Sequence, residues 1–172
     1  GLGDVYKRQT VAEGDADSSD LSVSSFGGTI ADAAGGAAGA ASGDLGAVIV
    51  DGDTPDITAI AATDGDYSIG EVISITVTFD QAVDVTDTPT LTLSNSDTAS
   101  YVSGTGSTAL VFTTTVASGD TASSDLSVSS INANGGNIED AADNDFSTTI
   151  ADGDLGSVTV DVTVPTMTIT SS

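Results

Sequence analysis

Residues 71–79 read EVISITVTF. Ile73, Ile75, Val77 and Phe79 alternate with Ser74, Thr76 and Thr78. A period of two places four apolar side chains on one face of an extended strand and hydroxyls on the other. A helix would scatter the same residues around its circumference. The β-branched side chains suit a pleated, half-buried surface. The stretch therefore predicts a central strand with one face in a core.

Similar segments follow in both directions. Ile57–Ala61, Ala82–Val85, Thr90–Ser94, Ala99–Ser103, Ala109–Val116, Leu126–Ile131 and Ser157–Asp161 are short, alternating and bounded by turn residues. Leu91 and Leu93 are expected inside, as are Leu110, Phe112, Thr114 and Val116 on one shared face. The turn Gly104-Thr105-Gly106-Ser107 predicts a hairpin. The stretch 63–70 (TDGDYSIG) reads as a loop, and so does the long polar run 132–149. Seven or so short strands in about 110 residues define an all-β fold, an immunoglobulin-like β-sandwich. With no Cys and no Trp, its core is not of the antibody type.

The chain also repeats itself. TVAEGDADSSDLSVSS (10–25) returns as TVASGDTASSDLSVSS (115–130), and SGDLGAVIVD (42–51) returns as DGDLGSVTVD (152–161). Pro55-Asp56-Ile57-Thr58 returns as Pro165-Thr166-Met167-Thr168. A period near 110 residues is that of whole domains in tandem, too long for a solenoid unit. Residues 10–53 are then the C-terminal half of one repeat. Residues 54–161 are a complete repeat, and 162–172 start the next. The half-repeat, with its Ala/Gly-rich stretch 31–44, is expected to be weakly ordered alone. Residues 1–9 (GLGDVYKRQ) match neither repeat nor composition. They resemble a translated sequencing-linker artefact and are set aside as non-native.

Charge excludes several functions. The chain holds 26 acidic residues, all Asp except Glu13, Glu71 and Glu139, and its net charge is −24. The two basic residues, Lys7 and Arg8, both lie in the stretch set aside. Nothing is left to neutralise phosphates, which excludes nucleic acid and disfavours an anionic membrane surface. No apolar run reaches the roughly 18–20 residues that span a bilayer, so no membrane insertion is expected. Without His or Cys the usual nucleophile–base pairs are missing, and no catalytic residue is expected. Few aromatic residues and no Trp argue against a sugar-stacking platform.

The carboxylates must be solvated, cap the backbone or bind external cations. Ca²⁺ takes six to eight oxygen ligands, and Asp clusters stand in several loops. The candidate metal ligands are Asp51, Asp53 and Asp56 at the junction between repeats, helped by Asp140 and Asp143. The competing reading of each Asp-Gly-Asp is a turn in which Asp caps its own backbone.

The stretches 67–83 (YSIGEVISITVTFDQAV), 88–95 (TPTLTLSN), 99–120, 135–145 (GGNIEDAADND) and 158–166 (VTVDVTVPT) resemble bacterial immunoglobulin-like tandem repeats of giant cell-surface and adhesin proteins, in particular the flagellar-system-associated type. The resemblance covers residues 10–172. It implies an extracellular or bacterial cell-surface location and a spacer or adhesive stalk, stiffened by calcium at its junctions. The implied partners are neighbouring repeats of the same chain and a polysaccharide or surface protein. The rival expectations are a module that itself binds polysaccharide or a partner protein, and an accessory repeat of an extracellular enzyme.

Overall fold

The computed structural model describes residues 10, 12, 15, 18, 22, 23, 43, 44, 48–147, 149, 150 and 153–169. The readings of residues 1–9, of order in the half-repeat and of most of the Ala/Gly-rich stretch fall outside them. The chain divides into two compact units, Gly1–Asp53 and Thr54–Ser172. No helix occurs among the described residues.

In the first unit β1 (Ser22–Val23) pairs antiparallel with β2 (Gly43–Asp44), in the register Ser22↔Asp44 and Val23↔Gly43. Ser18 bridges Val50, also antiparallel. The Ala12 N–H donates to the Asp15 carboxylate at 2.9 Å, and the Asp15 N–H donates back to the Ala12 carbonyl at 3.0 Å.

The second unit repeats those pairings and adds to them. Ser127 bridges Asp154, Ser123 bridges Val160, and the Val128 N–H donates to the Gly153 carbonyl at 2.7 Å. The Ala117 N–H donates to the Asp120 carboxylate at 2.7 Å, and the Asp120 N–H donates to the Ala117 carbonyl at 3.1 Å.

Nine strands build this unit: β3 (Ile57–Ala62), β4 (Gly65–Ser68), β5 (Val72–Val85), β6 (Thr90–Leu93), β7 (Thr98–Ser103), β8 (Ser107–Thr115), β9 (Val128–Asn132), β10 (Ile138–Glu139) and β11 (Val158–Asp161). The long β5 is the axis. One of its edges takes β8. The other takes β3 along residues 75–79, then β10 at Asp84 and Val85. From β8 the antiparallel sheet runs on through β7 and β6 to β9. A separate pair, β4 with β11, is parallel. Hydrogen bonds between β11 and residues Ser123 and Leu126, at 2.7–3.0 Å, join the chain ahead of β9 to that pair. The sheet is therefore curled, and its two ends are tied through β11, β4 and the continuous chain of β3–β4.

The alternation in 71–79 carries through to burial. Ile73, Ile75, Val77 and Phe79 lie in the core, with Leu91, Leu93, Leu110, Phe112, Leu126 and Val158 around them. Thr114 shares the inward face of β8 as expected. Its hydroxyl donates to the Asp97 carboxylate at 2.7 Å, which satisfies the polar group where it is covered.

Three segments differ from the sequence reading. Ala82–Val85 is no separate strand but the far end of β5. Half-buried Gln81 stands at the inward position between Phe79 and Val83, interrupting the apolar series, and a register shift toward β8 falls there. The 63–70 loop contains β4, whose one large apolar residue, Tyr67, packs on the core. The 132–149 loop contains β10. It buries Ile138 and Phe146, the latter edge-on to Phe79 with ring centroids 5.8 Å apart.

Candidate metal centre in the carboxylate loops

Many of the carboxylates sit in the loops, and several of them accept from the backbone close by. Four accept the N–H two residues further on: Asp51 from Asp53 at 3.2 Å, Asp140 from Ala142 at 2.7 Å, Asp154 from Gly156 at 2.8 Å and Asp161 from Thr163 at 2.8 Å. Asn95 and Asn132 accept in the same way from Asp97 and Asn134. This is the Asx turn, in which a short side chain stands in for a backbone carbonyl. It needs an acceptor at the right reach and no metal.

Of the candidate ligands, Asp51 and Asp53 belong to the first unit. Asp56, Asp140 and Asp143 belong to the second. Asp56 is exposed, and its N–H donates to the Asp80 carboxylate at 2.9 Å while its carbonyl accepts the Asp80 N–H at 3.0 Å. That exchange extends the β3–β5 pairing by one step. Asp143 is exposed with φ 63°, in the left-handed region that Asp tolerates. Its N–H donates to the Asp140 carbonyl.

Asp140 is the one buried carboxylate among the described residues, 4% exposed. One of its oxygens accepts the N–H groups of Ala142 and Asn144 at 2.7 and 3.0 Å. The other accepts the Asn144 side-chain amide at 3.0 Å. Burial pushes this carboxyl up, but the Asn144 and Ala142 donors together outweigh it and hold it below its ordinary value of 3.8. Asp161 is held low by the Thr163 hydroxyl and then by the Thr163 N–H.

Among the described residues no three acidic side chains gather as a metal ion would require. The Asp140 oxygens face three N–H donors of their own loop, so in this structure they cap backbone and side-chain amide groups, and no chemistry is derived through Ca²⁺. A thermal melt tests this. The melting temperature should rise with ionic strength as carboxylate repulsion is screened. At matched ionic strength calcium should do no more than sodium. A calcium-specific rise would mean that carboxylates converge on the ion in solution.

Asp140 gives a second prediction. Asp140→Ala strands two backbone donors and should cost about 2 kcal/mol. Asp140→Asn keeps a carbonyl acceptor and should cost less. Because the folded carboxyl is held low, its contribution is fully present above the ordinary value. It disappears as pH falls through the lowered one. Denaturant melts of the parent and Asp140→Ala should differ most at pH 7, and the gap should narrow as pH falls through the lowered value.

Sequence reasoning placed Asp64 in a loop, among the clustered carboxylates, and missed its partner. Its carboxylate accepts the Ser157 N–H at 2.9 Å from 93 residues away. Nothing local marks so distant a partner. A shallow depression of ≈ 440 Å³ lies along β4 and β11, lined by Asp66, Ser68, Ser123, Thr159 and Asp161 among others. It holds two carboxylates and no aromatic ring for a sugar to stack on. No helix among the described residues is long and apolar enough to cross a membrane. No family model, curated protein or solved structure matches the chain.

Proposed function

We propose that residues 54–161 are one immunoglobulin-like β-sandwich in a tandem series, acting as a spacer or adhesive stalk segment of a bacterial extracellular or cell-surface protein. The observation that carries this reading is the recurrence of the same pairings at repeat-equivalent positions. Ser18↔Val50 and Ser22↔Asp44 in the first unit correspond to Ser123↔Val160 and Ser127↔Asp154 in the second. The Ala12–Asp15 loop corresponds likewise to Ala117–Asp120. A module used repeatedly, with a self-contained core, suits a mechanical role.

The ends of the second unit support it further. Its early strand β4 and last strand β11 run parallel, so the chain enters near the start of one and leaves from the end of the other.

The test is location. Antibody against this chain, applied to unpermeabilised cells that carry the gene, should label their surface. Labelling that appears only after permeabilisation would overturn the proposal. Retention of the purified chain on an insoluble polysaccharide would favour the rival reading of a binding module.

A further inference from the structure

A stalk segment carries load along its chain, and the second unit has a specific element across which that load must pass. Force applied through the ends draws β3 and β4 backward along their own direction. It draws β11 forward along its direction. Since β4 and β11 are parallel, in the register Val158↔Gly65 to Asp161↔Ser68, the two pulls slide the strands past each other. The ladder is then sheared, and its bonds must fail together rather than one after another.

The neighbouring contacts direct force onto that ladder. β11 is held on its other edge by exchange between Ser123 and Val160 at 2.7 and 3.0 Å, and by the Leu126 N–H on the Val158 carbonyl. Ahead of β4, five of the six residues of β3 pair along β5, with a register shift at Thr58. The start of the parallel pair is reinforced twice: the Gly65 N–H donates to the Ser157 carbonyl at 3.0 Å, and the Ser157 N–H donates to the Asp64 carboxylate at 2.9 Å. Tyr67 anchors β4 from inside, packed on the core with its hydroxyl donating to the Thr63 carbonyl.

We infer that the β4–β11 pair, fastened by Asp64 to Ser157, is the mechanical clamp of this unit: β3 yields first, and the fold opens only when β4 and β11 shear apart. The importance of the clamp in the cell rests on the stalk reading above, but its existence is a property of the isolated chain. Surface labelling can fail while the clamp stands, and the reverse.

The test is single-molecule force spectroscopy on the full 172-residue chain. In one geometry handles are attached at both ends. In the other they are attached at Ile69→Cys, an exposed site just past β4, and at the C-terminus. The second geometry peels the same ladder from its Ser68–Asp161 end. Opening of the second unit through the ends releases roughly 350 Å of chain at about 3.3–3.6 Å per residue, too long to come from the first unit. The expected result is a rupture force several-fold higher through the ends than in the peeling geometry, preceded by a short release of β3. Asp64→Ala, at an exposed position, should lower the through-ends force and leave the peeling force unchanged, since peeling begins at the opposite end. Equal forces in the two geometries overturn the inference. So does a through-ends force that Asp64→Ala does not alter.

Discussion

Replacing Phe112 with alanine is expected to destabilise the second unit by about 3–5 kcal/mol. Phe112 lies on β8, is fully buried, and meets Tyr101 edge-on with ring centroids 5.8 Å apart. Its register partners are Ile75 on one side and Tyr101 on the other. Truncation would therefore open a cavity where β5, β8 and β7 meet. Curled strands tied at both ends have little freedom to close it, which puts the cost toward the upper part of that range. A domain of this size holds only about 5–15 kcal/mol in total, so the variant should sit near its unfolding threshold at room temperature. Urea unfolding followed by circular dichroism would measure the midpoint. Tyr101 offers a local probe, since its near-ultraviolet signal should weaken with the loss of its ring neighbour. A loss below 1 kcal/mol would mean that the packing of β8 on the core is wrong.

Gly153→Ala should be comparably severe for an unrelated reason. The Gly153 carbonyl accepts the Val128 N–H at 2.7 Å, and its α-carbon faces the Val128 backbone. An added β-carbon would run into the Val128 carbonyl oxygen and carbon, which belong to backbone and cannot swing aside. Either the strand contact is lost or the chain shifts, at a cost of about 3 kcal/mol. Each kcal/mol lowers the melting temperature of such a domain by roughly 4–8 °C. A thermal scan should therefore show a fall of about 12–24 °C. Asp154→Ala, next door, is the informative comparison: it removes a turn acceptor from Gly156 and should cost only about 1 kcal/mol. Equal effects would assign the importance of this segment to its carboxylates rather than to the glycine's lack of a side chain.

The two variants also mark what the sequence made legible. The face containing Phe112 follows from alternation alone, because hydrophobic side chains at every second position leave a strand one way to lie. β4 was not legible. Gly65-Asp66-Tyr67-Ser68 offers one apolar side chain to pattern recognition, and its partner β11 lies far along the chain. The far end of β5 was obscured by Gln81, a polar residue on the inward parity. The role of Gly153 was hidden inside an Asp-Gly-Asp that suggested metal chemistry. Asp140 and Asp143 look alike as letters, yet one is buried and holds three donors while the other is exposed. What separates them is the set of donors each carboxylate meets in the fold, which the letters do not carry.

The pairing of β4 with β11 has a consequence for the order in which the protein is made. A growing chain exposes β3, β4 and β5 long before residues 155–161 exist. Asp64 must wait for Ser157, 93 residues later, and the ring of strands cannot close until then. Such long-range contacts place the fold among the slow ones, on the scale of milliseconds to seconds. In a protein that repeats itself, the next copy's opening strand begins to emerge just as the previous copy becomes able to close. If the unit recurs in tandem as proposed, translation delivers each unit's own β11 before the next copy's strands exist, so β4 meets its own partner first and in-order synthesis guards against exchange of strands between copies.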